Sequence, residues 1–92
     1  MIDPEQRPQA IRERLTAAFD PDHLAIADDS HRHAGHASAK GGGHFTVTIV
    51  AEAFAGKGPL ERHRMVHDAV SDLMADGTIH ALSIRASAPA EV

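Results

Sequence analysis

Eight histidines among 92 residues give this chain its most conspicuous chemistry, because neutral imidazole is a borderline ligand for zinc, copper and iron. Four of them, His31, His33, His36 and His44, bracket a glycine-rich stretch. His31 and His33 fall on one side of an extended segment, but a flexible loop loses considerable conformational entropy in closing around an ion. On spacing alone a solvated loop, a true ligand among these histidines and an adventitious metal site all stay open. His80 stands apart. It opens a segment directly after the tight Asp76-Gly77 turn and shares a face with Leu82 and Ile84, which predicts a partly sheltered, rigid position. From the residues alone it reads as a packed histidine donating one ring hydrogen bond.

A second group is cationic. Arg62-His63-Arg64 falls in the first turns of a helix, beside Lys57 and the amides of Gly56 and Gly58. Amides at a helix start together with nearby cations can bind an anion, so the group reads as a phosphate contact, an acidic-partner contact or a solvated turn. Its charge opposes the helix dipole, an effect that Glu61 partly offsets.

Catalytic pairings are weak. Asp28 and Asp29 are adjacent, so on a strand they point to opposite faces and make a poor acid and base pair. Ser30 beside His31 or His33 lacks an orienting third group and an oxyanion hole. The run Gly41-Gly42-Gly43 has no Lys-Ser/Thr continuation and precedes a strand, so it reads as a hinge and not as a phosphate loop. No enzyme activity is expected. Zero cysteines exclude disulfides, thiolate catalysis and a self-sufficient cysteine-ligated cluster, and they fit a reducing compartment.

The elements that must position these residues follow from hydrophobic period. Ile11, Leu15, Ala18 and Phe19 recur at three- and four-residue steps, predicting an amphipathic helix from about Pro4 to Phe19, ended by Asp20-Pro21-Asp22. His23 to Asp28 alternates, with Leu24 and Ile26 on one face; His44 to Ala51 does so more clearly, with Phe45, Val47 and Ile49 together. These two strands should pair antiparallel across a mobile loop at 30–43. After Gly56, Gly58 and Pro59, the stripe Arg62, Met65, Val66, Ala69, Val70, Leu73 and Met74 predicts one continuous core helix to about Ala75. Gly77 suits the left-handed turn after it, and Thr78 to Ala86 alternates as a last strand.

A hydrophobic content of 42% fits one domain over 1–92, with its core at about 4–86 and a tail at 87–92. A domain of this size buries roughly 60% of the surface its unfolded chain exposes, leaving little room for an enclosed cleft. With no Trp, no Tyr and three Phe, the core must be largely aliphatic. The net charge of -4 disfavours whole-surface attraction to nucleic acid. The first residues carry neither a basic region nor an apolar run, and no stretch approaches the ~20 apolar residues that span a bilayer. A cytoplasmic location without membrane association is the expectation.

Phe54-Ala55-Gly56-Lys57-Gly58-Pro59-Leu60-Glu61-Arg62-His63-Arg64-Met65-Val66, a glycine-rich turn joined to a helix with a cationic, histidine-bearing start, resembles the BolA family signature. Asp28-Asp29-Ser30-His31-Arg32-His33, His44-Phe45-Thr46-Val47 and Ile79-His80-Ala81-Leu82 support the resemblance, which runs from about Ile11 to about Ala86. It implies an α+β fold in the order αββααβ, a three-stranded sheet packed on helices, similar to a class II KH domain. It also implies a small non-enzymatic regulator that pairs with a monothiol glutaredoxin around an iron-sulfur cluster, in cluster trafficking or in iron- or redox-responsive regulation.

By that resemblance His80 is a ligand to a 2Fe-2S cluster shared with the glutaredoxin. The second ligand comes from the loop, where His33 stands at the expected offset and His31 and His36 are neighbours able to substitute. The glutaredoxin and its bound thiol would supply the sulfur, since a chain without cysteine offers only nitrogen. Histidine in place of a thiolate on one iron raises the cluster potential. Alone, the chain is expected to carry no cofactor and to be a monomer or weak homodimer.

The alternative that the resemblance carries is a DNA-binding regulator using Lys57, Arg62, His63 and Arg64. Here the chain departs from KH domains, because Gly56-Lys57-Gly58-Pro59 lacks the Gly-X-X-Gly spacing and no Trp or Tyr is present for base stacking. A salt-sensitive, non-specific contact fits better than base readout.

Overall fold

Phe45, Val47 and Ile49 alternate with Thr46 and Thr48, and this period of two builds the central strand of a sheet with one face sealed by helices. The computed structural model describes residues 3–30 and 43–92. Strand β1 (His23–Asp28) pairs antiparallel with β2 (Gly43–Val50), and β2 pairs parallel with β3 (Ile79–Ser87), in the sheet order β1-β2-β3. A parallel pair needs a crossover. Helices α2 (Pro59–Ala69) and α3 (Ser71–Ala75) provide it, while α1 (Arg7–Phe19) precedes the sheet. Short 3-10 turns lie at Pro4–Gln6, Glu52–Phe54 and Pro89–Glu91. The chain is thus α+β in the order αββααβ. No described helix is long and apolar enough to cross a membrane.

The core forms where the stripes meet. Ile11 and Leu15 of α1, Phe45, Val47 and Ile49 of β2, Val66 of α2, Val70, Leu73 of α3 and Ile79 of β3 are all buried in one cluster with Phe54. Leu24 and Ile26 of β1 and Leu82 and Ile84 of β3 pack against its rim, half-buried because both strands are sheet edges. Arg14 donates to Asp72 Oδ2 through Nε at 3.0 Å and Nη2 at 2.9 Å, which ties α1 to α3 across the top of that core.

The helical stripe does not run on as one helix. Val70 sits at φ -114° and ψ 19°, and its N–H is shared between the carbonyls of Val66 at 3.3 Å and His67 at 3.2 Å. A β-branched residue followed by Ser71 and Asp72, which favour helix starts over interiors, makes the break inexpensive. The break lets Val66, Val70 and Leu73 all remain buried. Gly77 takes the expected left-handed conformation, at φ 84°.

Gly43 is strand, not hinge. A Cβ there would stand 2.4 and 2.7 Å from Phe45 Cε2 and Cζ and 3.2 Å from Ser30 Oγ, so the missing side chain is what admits the Phe45 ring. Phe45 is only 2% exposed and has no room to swing away. Gly43→Ala is expected to cost about 1–3 kcal/mol by overpacking. Chemical denaturation measures it, and an unchanged midpoint would show that the ring yields freely.

The end of the chain is not a loose tail. Ala88 is buried at 3% exposure, and the 3-10 turn after it is tied back to α2 by Glu91. The loop expected at 30–43 lies, apart from its two end residues, outside the described residues.

Candidate functional site

Sequence alternation alone would place His80 on the face of Leu82 and Ile84, but the sheet contains a bulge at that point. Gly43 pairs with Ile79 and His44 with Ala81, leaving His80 as an extra residue in β3. The bulge shifts the parity of the strand: Ile79 is buried at 2% exposure, Leu82 and Ile84 face the helices, and His80 is turned out to solvent. The expected sheltered position is thereby corrected. The same shift brings the His80 ring beside that of His44 on the neighbouring strand, with centroids 5.2 Å apart and planes tilted by 46°.

His44 is held by its backbone from the segment that precedes residue 31. Its N–H donates to Ser30 Oγ at 3.0 Å, and its carbonyl accepts the N–H of Asp29 at 2.8 Å. Ser30 N–H in turn donates to Asp28 Oδ1 at 2.9 Å, a side-chain turn, and Thr46 Oγ1 donates to Asp29 Oδ2 at 2.8 Å. The chain therefore leaves the described structure at Ser30 and re-enters it at Gly43 right beside the imidazole pair. His33, His31 and His36 lie outside the described residues.

Among the described residues no group of three or more His, Cys, Asp or Glu side chains is arranged to hold a metal ion. The exposed His80 and the half-buried His44 offer imidazole nitrogen alone, which can fill part of a coordination sphere and no more. That donor set fits a metal centre whose remaining ligands, thiolates included, come from outside these residues.

The cationic group lies elsewhere. Arg62 reaches the far end of β3, donating through Nη1 to the carbonyl of Ala86 at 2.9 Å and through Nε to that of Lys57 at 2.8 Å. Since β3 runs about six residues from His80 to Ala86, at ~3.3 Å per residue the two candidate sites are roughly 20 Å apart. Arg62 also makes a two-pronged pair with Glu91, both bonds 2.7 Å, so its guanidinium serves the fold. Lys57 stands 3.5 Å from Glu61, an exposed pair, and Arg64 and His63 are exposed on α2. Pro59, Arg62, His63 and residues 84–87 line a cavity of about 350 Å³ between α2 and β3.

The hydrogen bonds from Arg62, and then that from the Ala88 N–H, hold the Glu91 carboxyl down to about 2, from an ordinary 4.5. A carboxylate with a depressed folded-state pKa contributes stability that is fully present above its unfolded value and lost as pH falls through the folded one. The window here is about 4.5 down to about 2. Thermal midpoints of Glu91→Gln should therefore fall less steeply with acid across that window than those of the wild type. Parallel curves would remove Glu91 from the acid limb.

Sequence reading grouped His44 with the loop histidines and did not single it out as the neighbour of His80. No periodic signal could have, since the pairing depends on a bulge between strands about 35 residues apart in sequence. Glu91 was equally unmarked. His67 was unmarked as well, although its place four residues after His63, on one helix face, is a signal that the sequence carries.

The BolA-like protein family model matches residues 15–91. SufE-like protein 1, chloroplastic/mitochondrial, of Arabidopsis thaliana is 44% identical over 92 residues, covering 94% of this chain and 24% of that protein. The solved BolA domain of SufE1 from Arabidopsis thaliana superposes with a TM-score of 0.82 at 44% identity, over 94% of this chain and 95% of that one. BolA-like protein 1 of Mus musculus is 43% identical over 82 residues, 89% of this chain and 58% of the relative. The DNA-binding transcriptional regulator BolA of Escherichia coli is 37% identical over 76 residues, 83% of this chain and 70% of that protein. This chain thus spans less than two thirds of the length of the plant and mouse relatives.

Proposed function

The chain belongs to the BolA-like protein family, and from that premise we propose that it is a non-enzymatic partner of a monothiol glutaredoxin, completing a shared 2Fe-2S cluster with histidine nitrogen. The observation that carries this reading is the exposed His80 ring beside His44 at the β2–β3 bulge. The cluster supplies electron transfer or a transferable iron-sulfur unit; what the chain itself supplies is a positioned donor. His80 presents its imidazole outward from a strand whose backbone is paired on both sides of the bulge, so little ordering is required when the partner docks. The second donor is His33. His31 and His36 are its competitors.

Titration of a cluster-loaded monothiol glutaredoxin with the apo chain, without oxygen and followed by visible absorption and circular dichroism, tests the reading. A saturating change at stoichiometric ratio is expected. A flat titration would sink it and leave the DNA-binding reading, for which the name of the Escherichia coli relative is the support. In that reading Arg64 and Lys57, exposed at the start of α2 and in the turn before it, are the phosphate contacts, because Arg62 is engaged by Glu91.

A further inference from the structure

His63 and His67 stand four residues apart on α2, with ring centroids 5.8 Å apart and planes inclined by only 22°. Positions i and i+4 share one helix face a turn apart, so the backbone holds both imidazoles together before any ligand arrives. His63 is exposed and His67 half-buried, which leaves the pair open to solvent along its outer edge. Neither residue takes part in the imidazole pair at the β2–β3 bulge.

We propose that His63 and His67 form a two-ligand surface site for a divalent first-row transition ion, with copper(II) the tightest-bound. Two histidines at this helical spacing are the ligand pair that helical zinc sites use, and the rings already lie close to a common side. Among divalent ions the affinity of a nitrogen site peaks at copper(II), whose tetragonal geometry tolerates a pair of imidazoles with water in the remaining positions. Glu61 precedes the pair and Asp68 follows it, and Arg62 is paired with Glu91; the exposed Arg64 beside His63, and Arg85, which lines the same cavity as His63, are the cations that a bound ion must outweigh. The site stands independently of the glutaredoxin reading, since it uses other residues on another element.

Copper(II) titration of the full chain, followed by paramagnetic broadening of amide resonances, tests this directly. At one equivalent the broadening is expected to centre on residues 60–70. His63→Gln and His67→Gln should each weaken that local effect on the order of a hundredfold, the loss when a chelate becomes a single ligand. Far-ultraviolet circular dichroism checks that both variants keep the fold, and His80→Ala should leave the α2 broadening intact. No broadening of α2 at one equivalent, or α2 broadening that persists unchanged in either glutamine variant, would overturn the site.

Discussion

His80→Ala is expected to abolish or strongly alter the visible circular dichroism of the mixed glutaredoxin complex while leaving the isolated chain within about 0.5 kcal/mol of wild-type stability, the usual range for a surface position. Both halves follow from the bulge. His80 is the residue left over between the Gly43–Ile79 and His44–Ala81 pairs, so the packing of β3 is carried by its neighbours, Ile79 on one side and Leu82 and Ile84 on the other. Its ring meets that of His44 and faces solvent. Truncation therefore opens no cavity in the core. It removes a nitrogen donor from the proposed cluster, and an iron that exchanges imidazole for water or thiol changes its charge-transfer spectrum. Thermal unfolding of the free variant and the anaerobic titration together read the two effects. An unchanged spectrum with an intact fold would take His80 out of the site, and a variant that fails to fold would show that the ring pair maintains the bulge.

Phe54→Ala is expected to cost about 3–5 kcal/mol, the range for truncating a buried aromatic ring. Against the ~5–15 kcal/mol that holds a typical native domain, that is a large fraction. Phe54 is fully buried, its ring 5.0 Å from Phe19 and tilted by 41°. Its backbone also organises the turn that leads into α2. The Phe54 N–H donates to the Ala51 carbonyl at 3.1 Å, its carbonyl accepts the Lys57 N–H at 3.1 Å, and the Lys57 carbonyl accepts Arg62 Nε at 2.8 Å. The backbone of Phe54 thus links the glycine turn to the start of α2 and, through Arg62 and Glu91, to the end of the chain, while its buried ring holds that backbone against the core. This anchoring gives the aromatic residue at the head of the family signature a structural role. Denaturant unfolding measures the loss, and a cost below about 1 kcal/mol would mean that the surrounding side chains collapse into the space.

By itself the sequence determined where the strands and helices lie, because a buried face must repeat every two residues on a strand and every three to four on a helix. Phe45, Val47 and Ile49 are buried together as their alternation required, and Gly77 turns left-handed where the last helix stops. The family signature was legible for the same reason: it is local, a contiguous run from Phe54 to Val66. Only the tertiary structure decided which of the chemically capable side chains are turned out to solvent and which are tied into the fold. Arg62 looked like a ligand-binding cation until the turn at residues 89–91 came back across β3 to meet it, 29 positions away in sequence. His80 looked sheltered until one unpaired residue in a parallel ladder turned it outward, against His44. Periodicity reports the relation of a side chain to its own element, whereas register, bulges and clasps between distant segments depend on packing among elements, and no local pattern in the chain encodes them.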